Sequence, residues 1–194
     1  MPDKNTLYPI FLKLEQLETL LVGGGNVALE KLTSLLSNSP DAKITVVASL
    51  VKDEVKQLLQ NHPSCILLQR SFEESDLENK DLIFLATDDE DLHKRIKSLA
   101  DEKMILVNVA DTPELCDFYL SSIVQIGNLK IAISTNGKSP TIAKRIKEVL
   151  QETLPGEIDE LLNNLQNIRN KMSLEFTEKV RQLNELTKTL VEKK

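Results

Sequence analysis

Three consecutive glycines, Gly23-Gly24-Gly25, separate an apolar run, Thr19-Leu20-Leu21-Val22, from a segment whose apolar residues recur at helical spacing. That stripe is Val27, Ala28, Leu32, Leu35 and Leu36. A strand that ends in glycine and turns at once into a helix presents free backbone N–H groups, and the missing side chains let a phosphate reach them. Gly23, Gly25 and Ala28 fit the pattern G-x-G-x-x-A, a dinucleotide fingerprint. In that pattern Gly23 permits the tight turn, Gly25 admits the pyrophosphate, and Ala28 keeps the helix close to the sheet. The alternative is a tight strand–helix turn that binds nothing.

The surrounding sequence has the matching rhythm. Residues 44–48, 66–68, 82–86 and 105–109 read as further strands. Between them lie two helical stripes, one of Val51, Val55, Leu58 and Leu59, the other of Leu92, Ile96 and Leu99. These strands are apolar throughout rather than alternating, as expected when helices cover both sheet faces. The fold class is therefore α/β, a Rossmann-type doubly wound parallel sheet over residues 1–112. After Pro113 the rhythm changes. Residues 121–126 and 129–134 read as two strands joined hairpin-fashion at Gly127-Asn128. Ser139-Pro140 supplies an N-cap and a first-turn proline for a helix with Ile142, Ile146, Val149 and Leu150 on its apolar face. A small β-containing region over 113–153 is thus expected. A helical region over 154–194 follows, with Ile158, Leu161, Leu162, Leu165 and Ile168, then Val180, Leu183 and Leu190.

Composition narrows the function classes. The 194 residues are 41% hydrophobic, enough for a core without staples. A net charge of −6 argues against non-specific nucleic-acid binding. Cys65 and Cys116 are far apart and lack a CxxC partner, which argues against zinc or a disulfide framework and fits a reducing cytoplasm. The N-terminus has no basic stretch followed by a long apolar run, so no signal peptide is expected. No stretch reaches the roughly 18 apolar residues of a membrane span. His62 and His93 fall in or beside helical surface patterns, and no pre-built metal site is expected.

Five segments carry a family resemblance. They are Tyr8-Pro9-Ile10-Phe11 with Leu14, the GGGNVALEK turn, Ala86-Thr87-Asp88-Asp89, VNVADTPELCDF ending at Phe118, and ISTNGKSPTIAKRIK ending at Lys147. In this order they resemble the precorrin-2 dehydrogenase family, which includes the N-terminal part of sirohaem synthases. Two departures stand out. Asn136-Gly137 replaces a Gly-Gly pair, where Asn tolerates a left-handed backbone. Ser121 replaces a proline common in the family.

The resemblance implies oxidation of precorrin-2 to sirohydrochlorin with NAD as hydride acceptor, in a homodimer built through the region after Pro113. It also implies that some members insert ferrous iron or cobalt into the product. Asp111, in the NVAD run just beyond a strand end, is the candidate catalytic base; a cap or turn residue before Thr112-Pro113 is the bland alternative. Candidate cofactor contacts are Gly23, Gly25, Asn26, Val27, Ser49, Leu50 and Thr87. Ser49 stands where such folds often carry an acidic residue for the ribose, so selection against NADP is not secured. Asp88 and Asp89 read better as N-caps. A polycarboxylate substrate needs cations, and Lys138, Ser139 and Arg145 are the candidates at a helix start, against the bland reading of a solvated face. Cys116 is read as a buried thiol. The end of the chain at Lys194 predicts no methyltransferase domain. The rival reading is a non-catalytic NAD(H)-binding Rossmann sensor. A chelatase that has lost its oxidase role is a third reading, disfavoured by the intact glycine turn.

Overall fold

The computed structural model describes residues 4–172 and 175–188. They form two compact units, Thr6–Leu120 and a second made of Lys4 and Asn5 with the described residues from Ser121 onward. In the first unit, strand β1 (Glu18–Val22) leads into helix α1 (Asn26–Asn38). Then come β2 (Lys43–Val47), α2 (Asp53–Gln60), β3 (Cys65–Leu68), β4 (Leu82–Leu85), α3 (Glu90–Glu102) and β5 (Leu106–Val109). All five strands pair in parallel, in the order β3-β2-β1-β4-β5. From β1 the chain works outward through β2 and β3, then returns to the other side of β1 for β4 and β5. The order therefore reverses between β1 and β4, and a crevice opens at their carboxyl ends.

The pleat explains the two-sided core. Leu21, Ile44, Val46 and Phe84 point to one face, where Leu32 and Leu36 of α1 and Val55 and Leu59 of α2 cover them. Leu20, Val22, Ile83, Leu85 and Val107 point to the other, beneath Ile96 and Ala100 of α3. Leu20, Leu21 and Leu32 are fully buried. Each such leucine contributes roughly 1.5–3 kcal/mol of burial, so these stripes fix the sheet and with it the crevice.

The sequence reading ended this unit near residue 112, but its packing continues to Leu120. Val107 N–H donates to Asp117 Oδ2 at 2.9 Å, and Asn108 Nδ2 donates to the Phe118 carbonyl at 2.9 Å. The Phe118 ring meets Phe84 edge-on at 5.5 Å. Such polar ties lie outside hydrophobic periodicity.

In the second unit β6 (Ser122–Ile126) and β7 (Leu129–Ile133) form an antiparallel hairpin, with Gly127 turning at φ 54°. Asn136 adopts the expected left-handed backbone at φ 55°. Helix α4 (Pro140–Thr153) packs on the hairpin, and α5 (Ile158–Lys171) and α6 (Phe176–Thr187) follow. Asp159 on α5 accepts from Asn128 N–H at 2.6 Å and from its side chain at 2.9 Å. These bonds hold the Asp159 carboxyl below its ordinary pKa. The stripe predicted on α4 is mostly not turned inward: Ile142, Ile146 and Val149 are exposed and Leu150 is half-buried, while Ala143, outside the stripe, is buried. The expected Leu190 lies outside the described residues. Among the described residues no helix is long and apolar enough to cross a membrane.

Candidate functional site

A crevice of about 1160 Å³ opens at the carboxyl ends of the strands of the first unit. Its walls are the glycine turn after β1, residues 48–52 after β2, residues 69–72 after β3, residues 86–90 after β4 and residues 110–112 after β5. Gly23, Gly25, Asn26, Val27, Ser49, Leu50, Thr87 and Asp111 all line it.

The three glycines have three different reasons to be glycine. Gly23 has φ 129°, and a Cβ there would stand 2.3 Å from the Ala86 carbonyl oxygen. A Cβ on Gly24 would stand 2.3 Å from the Leu50 carbonyl oxygen. Gly25 has an ordinary backbone, φ −91°, and a Cβ there would meet nothing within 4 Å. Packing thus requires the first two, while the third keeps open the space in front of α1. That helix has no side-chain cap and no acidic residue in its first turn. Its leading N–H groups and dipole are left for an anion. An open approach at Gly25 beside an uncapped helix start is what a dinucleotide pyrophosphate needs. The residues present therefore fit NAD.

On the opposite wall, Asp89 caps α3, its Oδ1 accepting from Leu92 N–H at 2.9 Å. The Thr87 hydroxyl lies 2.8 Å from His93 Nε2 and accepts from Asp89 N–H at 3.3 Å. His93 corrects the sequence reading. It is 3% exposed rather than on a helical surface, because it shares the inner face of α3 with Ile96 and Ala100. Burial pushes its pKa down, against the pull of Asp89, Glu90 and Asp88.

Asp111 sits at the end of the β5 wall with φ 56°, a left-handed backbone rare outside glycine, asparagine and aspartate. Its side chain is exposed to the crevice. Below it, Lys31 Nζ donates to Asn108 Oδ1 at 2.8 Å. Burial lowers the Lys31 pKa, while neighbouring Cys116, Glu30 and Asp111 oppose that fall. Cys116 donates to the Val109 carbonyl at 3.2 Å, and burial raises its thiol pKa. A protonated, backbone-bonded thiol suits a structural role, although Cys116 is half-buried rather than the buried thiol expected.

The sequence reading passed over Gly24, Lys31 and Lys52. Gly24 counts as a free position in the fingerprint, and only the packing explains it. Lys52 Nζ donates to Asn26 Oδ1 at 2.6 Å, placing a cation on the crevice beside the glycine turn.

The remaining candidates belong to the second unit. Lys138 is exposed, just before α4. The Ser139 hydroxyl caps that helix, accepting from Ile142 N–H at 3.2 Å. Arg145 is exposed and donates to Glu148 at 2.6 Å. No group of three or more His, Cys, Asp or Glu side chains with metal-binding geometry occurs among the described residues.

Residues 10–122 match the family described as putative NAD(P)-binding, and residues 127–153 match the sirohaem biosynthesis protein central region. Siroheme synthase of Vesicomyosocius okutanii subsp. Calyptogena okutanii is 37% identical over 169 residues, covering 87% of this chain and 36% of that protein. Siroheme synthase of Psychrobacter cryohalolentis is 39% identical over 148 residues, covering 76% and 28%. The chain spans about a third of the length of these curated relatives. A solved structure described as SirC, precorrin-2 dehydrogenase, superposes with a TM-score of 0.73 at 27% identity, covering 93% of this chain and 89% of that one. The uncapped glycine crevice, the strand order and these matches agree: the chain belongs to the family described as putative NAD(P)-binding, and it carries a sirohaem biosynthesis protein central region after it.

Proposed function

We propose that this chain oxidises precorrin-2 to sirohydrochlorin with NAD. The observation that carries the reading is that Asp111 lines the same crevice as the triple-glycine turn. Going from precorrin-2 to sirohydrochlorin removes two hydrogens, one as hydride and one as a proton. Bound NAD supplies the hydride acceptor. The chain must then orient the two reactants and take the proton. The Asp111 carboxylate accepts it, at the edge of the sheet where ligands of such folds collect. Gly23, Gly25, Asn26, Val27, Ser49, Leu50 and Thr87 hold the dinucleotide. Lys138, with Ser139 and Arg145, answers the substrate carboxylates. Its ammonium has no carboxylate partner among the described residues, whereas Arg145 is already paired with Glu148.

A non-catalytic sensor of NAD(H) shares the fingerprint and the fold. Against it stands Asp111, an aspartate exposed on the crevice wall at a left-handed turn. The exposed Ile142, Ile146 and Val149 of α4 give a second copy of this chain an apolar face to cover, so the working form is a homodimer. The experiment mixes the protein with precorrin-2 and NAD and follows NADH absorbance. Steady NADH formation supports the dehydrogenase; tight NAD binding with no NADH supports the sensor. Adding ferrous or cobalt ion to the product and watching the tetrapyrrole spectrum then tests chelation.

A further inference from the structure

His93 is a polar side chain on the apolar inner face of α3, and its ring also reaches the crevice lining beside Thr87. The two ring nitrogens have different surroundings. Nε2 lies 2.8 Å from the Thr87 hydroxyl oxygen. Nδ1 is shut off from solvent and has no hydrogen-bond partner among the described residues. Burial lowers the His93 pKa against the opposing charges of Asp89, Glu90 and Asp88. The ring is therefore neutral at neutral pH and carries a single N–H.

Where that proton sits decides what Thr87 can do. On Nδ1 it would be a buried donor with no acceptor, among the rarest arrangements in a protein interior. On Nε2 it donates to Thr87, and only a lone pair on Nδ1 is left unpaired. The Thr87 oxygen already accepts from the Asp89 N–H at 3.3 Å. With Nε2–H as a second donor both its lone pairs are taken, and the hydroxyl has only its own proton to give. Thr87 lines the crevice at the end of β4, and β4 pairs with β5, which leads to Asp111. A dinucleotide in such a fold lies across the strand-order reversal, its pyrophosphate at α1 and its adenosine toward β2. The nicotinamide half then falls on the β4 and β5 side.

We infer that His93 is a positioning residue: its Nε2–H holds the Thr87 hydroxyl as a fixed donor to an oxygen of the nicotinamide half of the dinucleotide. This rests on the dinucleotide reading proposed above. A free threonine hydroxyl rotates and must be ordered when ligand binds; one with both lone pairs taken is set beforehand. Such a donor keeps the nicotinamide on the Asp111 side of the crevice.

Nitrogen NMR of the isotope-labelled full chain, without ligand, reads the tautomer directly. The chain has two histidines, and the spectrum of His62→Asn assigns the ring signals. His93 is expected to be protonated on Nε2; protonation on Nδ1 overturns the inference. Titrations with NAD and with ADP, which lacks the nicotinamide half, then read the consequence for binding. Thr87→Val and His93→Leu each lower NAD affinity about three- to tenfold and leave ADP affinity within about twofold of wild type. His93→Gln, which offers an N–H near the place of Nε2, restores NAD affinity to within about twofold of wild type. The double variant His93→Leu/Thr87→Val binds NAD no worse than Thr87→Val alone, because the two side chains act as one. Equal loss of NAD and ADP affinity in His93→Leu marks a merely structural histidine and overturns the inference. So does wild-type NAD affinity in either single variant. If His93→Leu fails to fold, the tautomer and the Thr87→Val titrations still decide. Wild-type protein that binds neither NAD nor ADP sinks the dinucleotide reading and takes the inference with it, whatever the tautomer.

Discussion

A single added methyl group separates the roles of Gly24 and Gly25. Gly24→Ala drives a Cβ into the Leu50 carbonyl, and overpacking of this kind costs about 1–3 kcal/mol. Gly25→Ala meets no protein atom and changes stability by less than about 1 kcal/mol, yet it blocks the approach to α1. Thermal melts and NAD titrations of the pair should show one variant that loses stability and one that loses binding. The fingerprint disclosed Gly23 and Gly25 from spacing alone; Gly24 stayed hidden because its constraint comes from the loop after β2. His93 stayed hidden for a related reason: its position reads as polar, while its ring is buried. Its folded pKa lies below the ordinary value of about 6.5. The unfolded chain therefore takes up the proton first as pH falls, and stability present above about pH 6.5 is lost as pH drops through the lower folded value. Replacing His93 with Asn should flatten the fall in Tm on acidifying below about pH 6.5, relative to wild type.

At the scale of elements, the five parallel strands were legible because unbroken apolar runs have few other homes. The residues after β5 were not, since side-chain bonds rather than periodicity hold them. Asp117 is the main tie: it accepts from Val107 N–H at 2.9 Å and from Lys97 Nζ at 2.8 and 3.0 Å. Asp117→Ala strips a partner from a β5 amide and from a largely covered ammonium, and should cost about 1–3 kcal/mol in denaturant unfolding. The loosened β5 end should also lower turnover more than NAD affinity, because it is this loop that presents Asp111. Helix α4 shows the opposite limit of pattern reading. Its apolar stripe was visible, but the sequence did not say that Ala143 would be the buried residue, with Leu150 half-buried and Ile142, Ile146 and Val149 left open.

For the whole molecule, that open face makes assembly a measurable property. Wild-type protein should sediment as a dimer at micromolar concentration, and Ile146→Glu, which buries a charge in the proposed interface, should sediment as a monomer. The candidate site was legible in proportion to how local it is. Motifs after single strands named most of the crevice lining. The bond between His93 and Thr87 emerged only once the strand ends were brought to one edge and α3 was packed beside them. The central claim is that a carboxylate on that edge takes the proton while the cofactor takes the hydride. Its most direct test is Asp111→Asn, assayed for NAD binding and for precorrin-2 oxidation in the same preparation. The account predicts NAD affinity within about twofold of wild type and turnover lowered by roughly 10²–10⁴-fold. Turnover equal to wild type at unchanged affinity would contradict it.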